Sequence, residues 1–223
     1  MEYPLINKKS NFNAVILADG DYPTNEITLA ILNNAKMVIC CDGAAGHYTG
    51  KPYAIIGDGD SLSDDFKKRY ADIFHQIDEQ DDNDLTKATR FAIEILKNNN
   101  EELNIAYLGC TGKREDHTLA NISLMMHFFS NYGITSTMIT DHGYFNTVNG
   151  NATFDSFKGQ QVSIFNFGCN KLESIGLKWN SYPYKWLWQG TLNEATTTKF
   201  SFMADNNYMV FRTFDAKSPI NLY

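Results

Sequence analysis

The chain has 223 residues, 43% of them hydrophobic, which suffices for one large domain or two small ones around a buried core. Its 26 acidic and 19 basic residues leave a net charge of −7 with no Lys/Arg block to offset it, which argues against duplex nucleic acid and anionic membrane as partners. Cys40, Cys41, Cys110 and Cys169 show no CxxC or CxxH spacing, so they read as reduced packing residues and not as a zinc site or disulfide framework.

In chain order, the opening "MEYPLINKKSN" lacks an apolar core of signal-peptide length. No later run approaches the ~18 apolar residues of a membrane helix, so a cytoplasmic location is expected. Residues 14–18 (AVILA), 37–41 (MVICC), 53–56 (YAII) and 105–108 (IAYL) are short continuous apolar runs, the pattern of strands buried on both faces of a parallel sheet. Helical patterns lie between them. A helix is expected to begin near Asp64, and another from Leu85, where Leu85, Ala88, Ala92, Ile95 and Leu96 share a face. A third runs through Leu119, Ile122, Met126 and Phe129, followed by a strand over 134–140. Beyond "HGYFNTVNGN" the segments "QQVSIFNFG", "TTTKFSFM" and "NYMVFRTF" alternate without helical period, and Trp186 and Trp188 in "YKWLWQG" read as one face of a strand. The expected fold is an α/β domain with a mostly parallel, doubly wound sheet over residues 1–145, then an all-β sandwich over 146–223.

Polar clusters follow the predicted strands: "ADGDYP", "CDGAAG", "GDGDS" and "GCTGKREDH", with "DEQDDND" at 78–84. In an open parallel sheet the strand ends share one edge and ligands bind in the crevice outside it, so five segments are expected to converge on one site. Asp58, Asp60 and Ser61 suit a turn and helix cap. They also suit a cation site, since carboxylates so close repel unless a hard ion such as Mg²⁺ lies between them. Asp82 or Asn83 offers a helix cap, while a role for Asp81 or Asp84 with metal or ligand is expected because capping needs one residue, not several aspartates. Gly109 and Gly112 precede a helix whose free N–H groups outline a phosphate cradle, and Lys113 and Arg114 oppose the helix dipole unless an anion binds. The alternative is a glycine-bearing loop with two solvated cations. His117 and Asn121, one turn apart, share a helix face. Neither a P-loop nor a dinucleotide-binding glycine signature is present.

The ordered set "CDGAA" (41–45), "IIGDGDS" (55–61), "EQDDNDLTKA" (79–88), "GCTGKREDHTLANI" (109–122), "GLKWN" (176–180) and "GTLNEA" (190–195) resembles the thiamine pyrophosphokinases across most of the chain. The resemblance implies an ATP- and Mg²⁺-binding α/β domain and a β-sandwich. It also implies a homodimer with thiamine held where two subunits meet, and transfer of the diphosphoryl group of ATP to the thiamine hydroxyl with release of AMP. By position it implies an acidic site of Asp42, Asp58, Asp60, Asp81 and Asp84, with Asp58, Asp60 and Asp81 as the Mg²⁺ contacts and Asp81 or Asp84 available to assist deprotonation of the hydroxyl. Ser61, Gly112, Lys113, Arg114, Asp116 and His117 would contact ATP and its phosphates, with Arg114 stabilising charge during transfer. Trp179 would lie against thiamine, with Thr191 and Asn193 on the segment that meets its pyrimidine; the other reading of Trp179 is a sandwich-core residue. Four positions depart from the family's usual pattern: Gly59 for a larger residue, Asn83 for Thr, Lys113 for Gly, and Leu192 for Ser. Two other classes are compatible with parts of the sequence. A haloacid-dehalogenase-like phosphatase would use Asp58 as nucleophile but carries its DxD after the first strand, and a non-catalytic nucleotide- or thiamine-binding module would not need the carboxylates.

Overall fold

The computed structural model describes residues 1–216, which divide into two compact units: Lys8–Asp141, and Met1–Asn7 together with His142 onward. The chain opens on a two-residue strand, β1 (Glu2–Tyr3), that belongs to the second unit. The first seven residues, grouped with the α/β domain on sequence, are therefore part of the β-rich unit.

The unit Lys8–Asp141 contains β2 (Ala14–Leu17), α1 (Glu26–Asn34), β3 (Val38–Cys41), β4 (Ala54–Gly57), α2 (Asp64–Arg69), β5 (Phe74–Gln76), α3 (Asp84–Asn98), β6 (Asn104–Leu108), α4 (Glu115–Tyr132) and β7 (Thr135–Ile139). Its strands form one parallel sheet in the order β7-β6-β2-β3-β4-β5. Every residue of β2, β3 and β4 is buried, which is why those strands are continuous apolar runs. The order reverses at β2, with later strands added first on its β3 side and then on its β6 side. A crevice is expected at such a reversal, outside the carboxyl ends of the strands.

The helices are placed by their caps and buried faces. Asn83 caps α3, its Oδ1 accepting from Thr86 N at 2.9 Å, and the helix buries Leu85, Ala88, Ala92 and Leu96 as its periodicity predicts. Ser63 caps α2 through Phe66 N. In α4 the predicted stripe is buried only at Met126: its other buried residues are Met125 and Phe128, Ile122 and Phe129 are half-buried, and Leu119 is 59% exposed. Only the later turns of α4 carry buried residues, where the helix meets β7, and its first turns are left to the strand-end edge. Sequence reading did not resolve α1 or β5. Among the described residues no helix is long and apolar enough to cross a membrane.

The second unit adds β8 (Gly143–Asn149), β9 (Ala152–Asp155), β10 (Gln160–Asn166), β11 (Leu172–Ile175), β12 (Asn193–Glu194), β13 (Lys199–Ala204) and β14 (Asn207–Ala216). One sheet runs β1-β9-β13-β11 and the other β12-β10-β14-β8, with Phe154, Leu172, Phe200 and Phe202 of the first packed against Val148, Val162, Ile164, Tyr208 and Val210 of the second. Arg212 is completely buried in this unit and donates to the carbonyls of Tyr3, Pro4 and Asp155 and to Asn146 Oδ1. The strand expected at Trp186 and Trp188 is instead a 3₁₀ turn, Leu187–Gly190. Gln189 Oε1 accepts from the N–H groups of Lys185 and Trp186, both at 2.9 Å, which closes the turn locally and leaves both tryptophans exposed.

Candidate active site

At the carboxyl ends of β2, β3 and β6 the first unit encloses a cleft of about 340 Å³. Of the residues singled out on sequence, Asp42, Ser61, Asp84, Gly112, Lys113, Arg114 and His117 line it, beside Asp19, Asn83 and Asn121. Asp58, Asp60, Asp81 and Asp116 do not, and the last three are exposed. Asp58 still acts on the cleft, because its charge opposes ionisation of both Asp42 and Asp84.

Asp42 opens a 3₁₀ turn at the end of β3 and is only 3% exposed. Its Oδ2 accepts from Ser61 N at 3.1 Å, while Oδ1 is buried with no hydrogen-bond partner. Burial pushes its carboxyl above the usual range, and repulsion from Asp84 and Asp58 adds to the effect against the Ser61 bond. Asp84, the first residue of α3, is likewise raised by burial, opposed by Lys87 and reinforced by Asp58. Asp58 is held low, chiefly because its Oδ1 accepts from Asp60 N at 3.0 Å.

Lys87 is a residue that sequence reading missed. It is 3% exposed, and its ammonium donates to Ile77 O at 3.1 Å and to Asp84 Oδ1 at 3.3 Å. A lysine one turn past a cluster of aspartates looks like part of a solvated face. The signal that exposes it is position, since Lys87 adjoins Ala88 on the buried stripe of α3.

The opposite wall is cationic. The loops after β2 and β6 are joined by hydrogen bonds from Gly20 N to Gly109 O (2.7 Å) and from Asp21 N to Thr111 O (2.8 Å). Gly109 has φ +64°, and a Cβ there would stand 2.4 Å from Ala18 O, so the approach of the two loops requires glycine. Lys113 also lies in the left-handed region, at φ +54°, at a cost of about 1–2 kcal/mol for a residue with a Cβ. Its ammonium reaches across to Asp19 Oδ1 at 2.8 Å. Arg114 precedes α4 without capping it, and instead pairs with Asp116 at 2.6 Å, which holds that carboxyl low. The first N–H groups of α4 thus have no side-chain cap from Arg114 beside a cleft lined by His117 and Asn121, the latter tied to Cys110 O at 2.9 Å.

Among the described residues no three His, Cys, Asp or Glu side chains form a ready-made metal site. Mg²⁺ does not require one, because it is usually held by one or two carboxylates with water and substrate phosphate completing its shell. A buried carboxylate oxygen without a partner, repelled by two further carboxylates, is the chemistry such an ion satisfies.

The remaining predicted residues lie in the β-rich unit. Trp179 is 53% exposed, so it is not a core residue. Asn193 is buried, accepting from Trp179 N at 3.2 Å and donating to Trp179 O at 2.8 Å, so its amide holds the tryptophan's backbone. The exposed Thr191 donates to Trp188 O at 2.7 Å.

Residues 28–136 match the family description "Thiamin pyrophosphokinase, catalytic domain", and residues 143–211 match "Thiamin pyrophosphokinase, substrate-binding domain". The chain belongs to the thiamin pyrophosphokinase family. It is similar to Thiamin pyrophosphokinase 1 of Caenorhabditis elegans, 30% identical over 103 residues, a stretch that spans 43% of this chain and 42% of that relative. In fold it is similar to the thiamin pyrophosphokinases of Candida albicans (TM-score 0.73, 18% identity, 95% of this chain and 92% of that one) and yeast (0.74, 16%, 96% and 91%). The Bacillus subtilis enzyme superposes over 92% of this chain and 100% of its own, with TM-score 0.69 and 20% identity. The family assignment sets aside the phosphatase reading, and Asp58 indeed follows β4, not the first strand.

The structure gives each departure from the family's usual pattern a setting. Gly59 adopts φ +84° in the turn after β4, Asn83 supplies the cap of α3, and both Lys113 and Leu192 occupy left-handed backbone. Leu192, at φ +65°, is 74% exposed.

Proposed function

We propose that the chain catalyses transfer of the diphosphoryl group of ATP to the hydroxyl of thiamine, giving thiamine diphosphate and AMP. The observation that carries this reading is the division of the cleft into two charged walls. Asp42, with its unpartnered buried oxygen, stands with Asp84 and the nearby Asp58 on one side, and Lys113 and Arg114 with the start of α4 on the other. A polyphosphate with its metal needs both. In place of the Asp58, Asp60 and Asp81 expected on sequence, Asp42 and Asp84 with Asp58 would hold Mg²⁺, because Asp60 and Asp81 are exposed and do not line the cleft, and the ion would neutralise phosphate charge. Lys113, Arg114 and the first N–H groups of α4 would position the phosphates, and transfer of this kind depends chiefly on such positioning and charge stabilisation. The bond from the thiamine oxygen to the β-phosphorus forms as the bond from that phosphorus to the α,β-bridging oxygen breaks; the hydroxyl proton passes to Asp81 or Asp84 and on to solvent, AMP leaves, and no covalent enzyme intermediate is needed.

Thiamine is assigned to Trp179, whose exposed ring offers an aromatic face to a cationic thiazolium, with Thr191 and Asn193 on the adjoining segment. The assembly is proposed as a homodimer. Purified protein with Mg²⁺ and ATP is expected to form AMP only when thiamine is present. Release of inorganic phosphate without AMP, or no turnover at all, would reject the assignment. An inactive Asp58→Asn chain mixed with a Trp179→Ala chain is expected to regain part of the activity; confirmed heterodimers without recovery would place each site within a single chain.

A further inference from the structure

The cationic wall of the cleft is not free: each of its two cations is already held by a carboxylate. The Arg114–Asp116 pair is local, two residues apart at the start of α4. The Lys113–Asp19 pair is not. It joins positions 94 residues apart, crossing from the loop after β2 to the loop after β6, at the reversal of strand order where the crevice opens. Lys113 reaches Asp19 from left-handed backbone, a conformation that residues with a Cβ rarely adopt. Asp19 in turn fills the space beside Gly43 of the turn that begins at Asp42, where a Cβ would lie 2.7 Å from Asp19 Oδ2. Both members line the cleft and both are about half exposed. Such a pair adds little to stability. It does fix where a cation stands.

We propose that Asp19 is an internal stand-in for substrate phosphate: it holds the Lys113 ammonium in place until a polyphosphate oxygen displaces the carboxylate and takes over the ammonium. The inference rests on the ATP reading above and adds a competitor within the site, so that Asp19 sets nucleotide affinity below what Lys113 alone would give. No bond is made or broken in the exchange; an ammonium trades one anionic oxygen for another.

Calorimetric titration tests this with two probes, Mg²⁺ with α,β-methylene-ATP and Mg²⁺ with inorganic tripolyphosphate, both without thiamine. Asp19→Asn is expected to bind both probes about two- to fivefold more tightly than wild type, the range an exposed ion pair supports. Lys113→Gly should bind both more weakly by a similar factor, with a melting temperature no lower than wild type because the left-handed strain is gone. The loss on Lys113→Gly should be larger in the Asp19→Asn background, where the ammonium has no competitor. Unchanged or weaker binding by Asp19→Asn overturns the stand-in role, weaker binding marking Asp19 as a metal or substrate contact instead. A gain confined to the nucleotide overturns the assignment to polyphosphate. If wild type binds neither probe, the ATP reading falls and this inference with it.

Discussion

Asp42 concentrates the conflict between stability and use in one side chain. It is buried, one oxygen is without a partner, and two neighbouring carboxylates repel it. Because its folded carboxyl is raised, the folded chain binds more protons here than the unfolded one between the two pKa values, so in metal-free protein stability falls as pH rises through that window. Asp42→Asn retains an acceptor for Ser61 N–H and removes the charge. Its melting temperature is expected to exceed that of wild type at pH 7, the gap closing as pH falls through that window and gone below about 4, the ordinary carboxyl range, while turnover is lost. A variant less stable than wild type at pH 7 would show that the carboxylate is worth more to the fold than its burial implies. Lys87 shows why part of this site was illegible in sequence. A charged letter carries no mark of burial, and only its register with Ala88 and Ala92 places it inside. Asp42 and Asp84 were legible as part of clusters of acidic residues at strand ends, although Asp58, Asp60 and Asp81 were grouped with them and lie outside the cleft's walls.

At the scale of elements, the parallel strands were readable because β2, β3 and β4 are buried on both faces and so consist wholly of apolar residues. β5 was not: its Phe74-His75-Gln76 lies partly or wholly exposed at the sheet edge and has no apolar run to announce it. The turn at Trp186–Gly190 was misread for a related reason, because alternating tryptophans mimic a strand while Gln189 supplies local hydrogen bonds that a strand would not need. Helix α3 depends on its cap. Asn83 Oδ1 accepts from both the N–H and the hydroxyl of Thr86, each at 2.9 Å, and Thr86 is buried. Asn83→Ala is therefore expected to destabilise the protein by about 0.5–2 kcal/mol in denaturant titration, with Asn83→Thr recovering most of the loss. No recovery by threonine would mean that the asparagine is needed for more than capping.

Across the whole molecule, β14 is joined to the first residues of the chain through Arg212. Its guanidinium donates to Tyr3 O at 3.2 Å and Pro4 O at 3.0 Å, and lies over the rings of Tyr144 and Phe154. Burial works against its charge, and the surrounding carbonyls offset that cost. Arg212→Met is expected to lose about 3–5 kcal/mol by chemical denaturation, because it orphans several buried acceptors at once. Removing residues 1–7 should likewise lower the melting temperature of the β-rich unit. Unchanged stability in the shortened chain would mean that β1 is ornamental.

This closure has a consequence for the order in which the protein is made. Tyr3 and Arg212 are 209 positions apart, so at about 5–20 residues per second the first strand waits roughly 10–40 s for the side chain that secures it. Residues 8–141 draw on contacts among themselves and can assemble while the ribosome is still working. The nascent amino end meanwhile lacks Arg212 and, until residues 152–155 emerge, its strand partner β9, so a chain held on the ribosome with residue 141 just clear of the exit tunnel should present a folded α/β unit whose first seven residues remain open to protease.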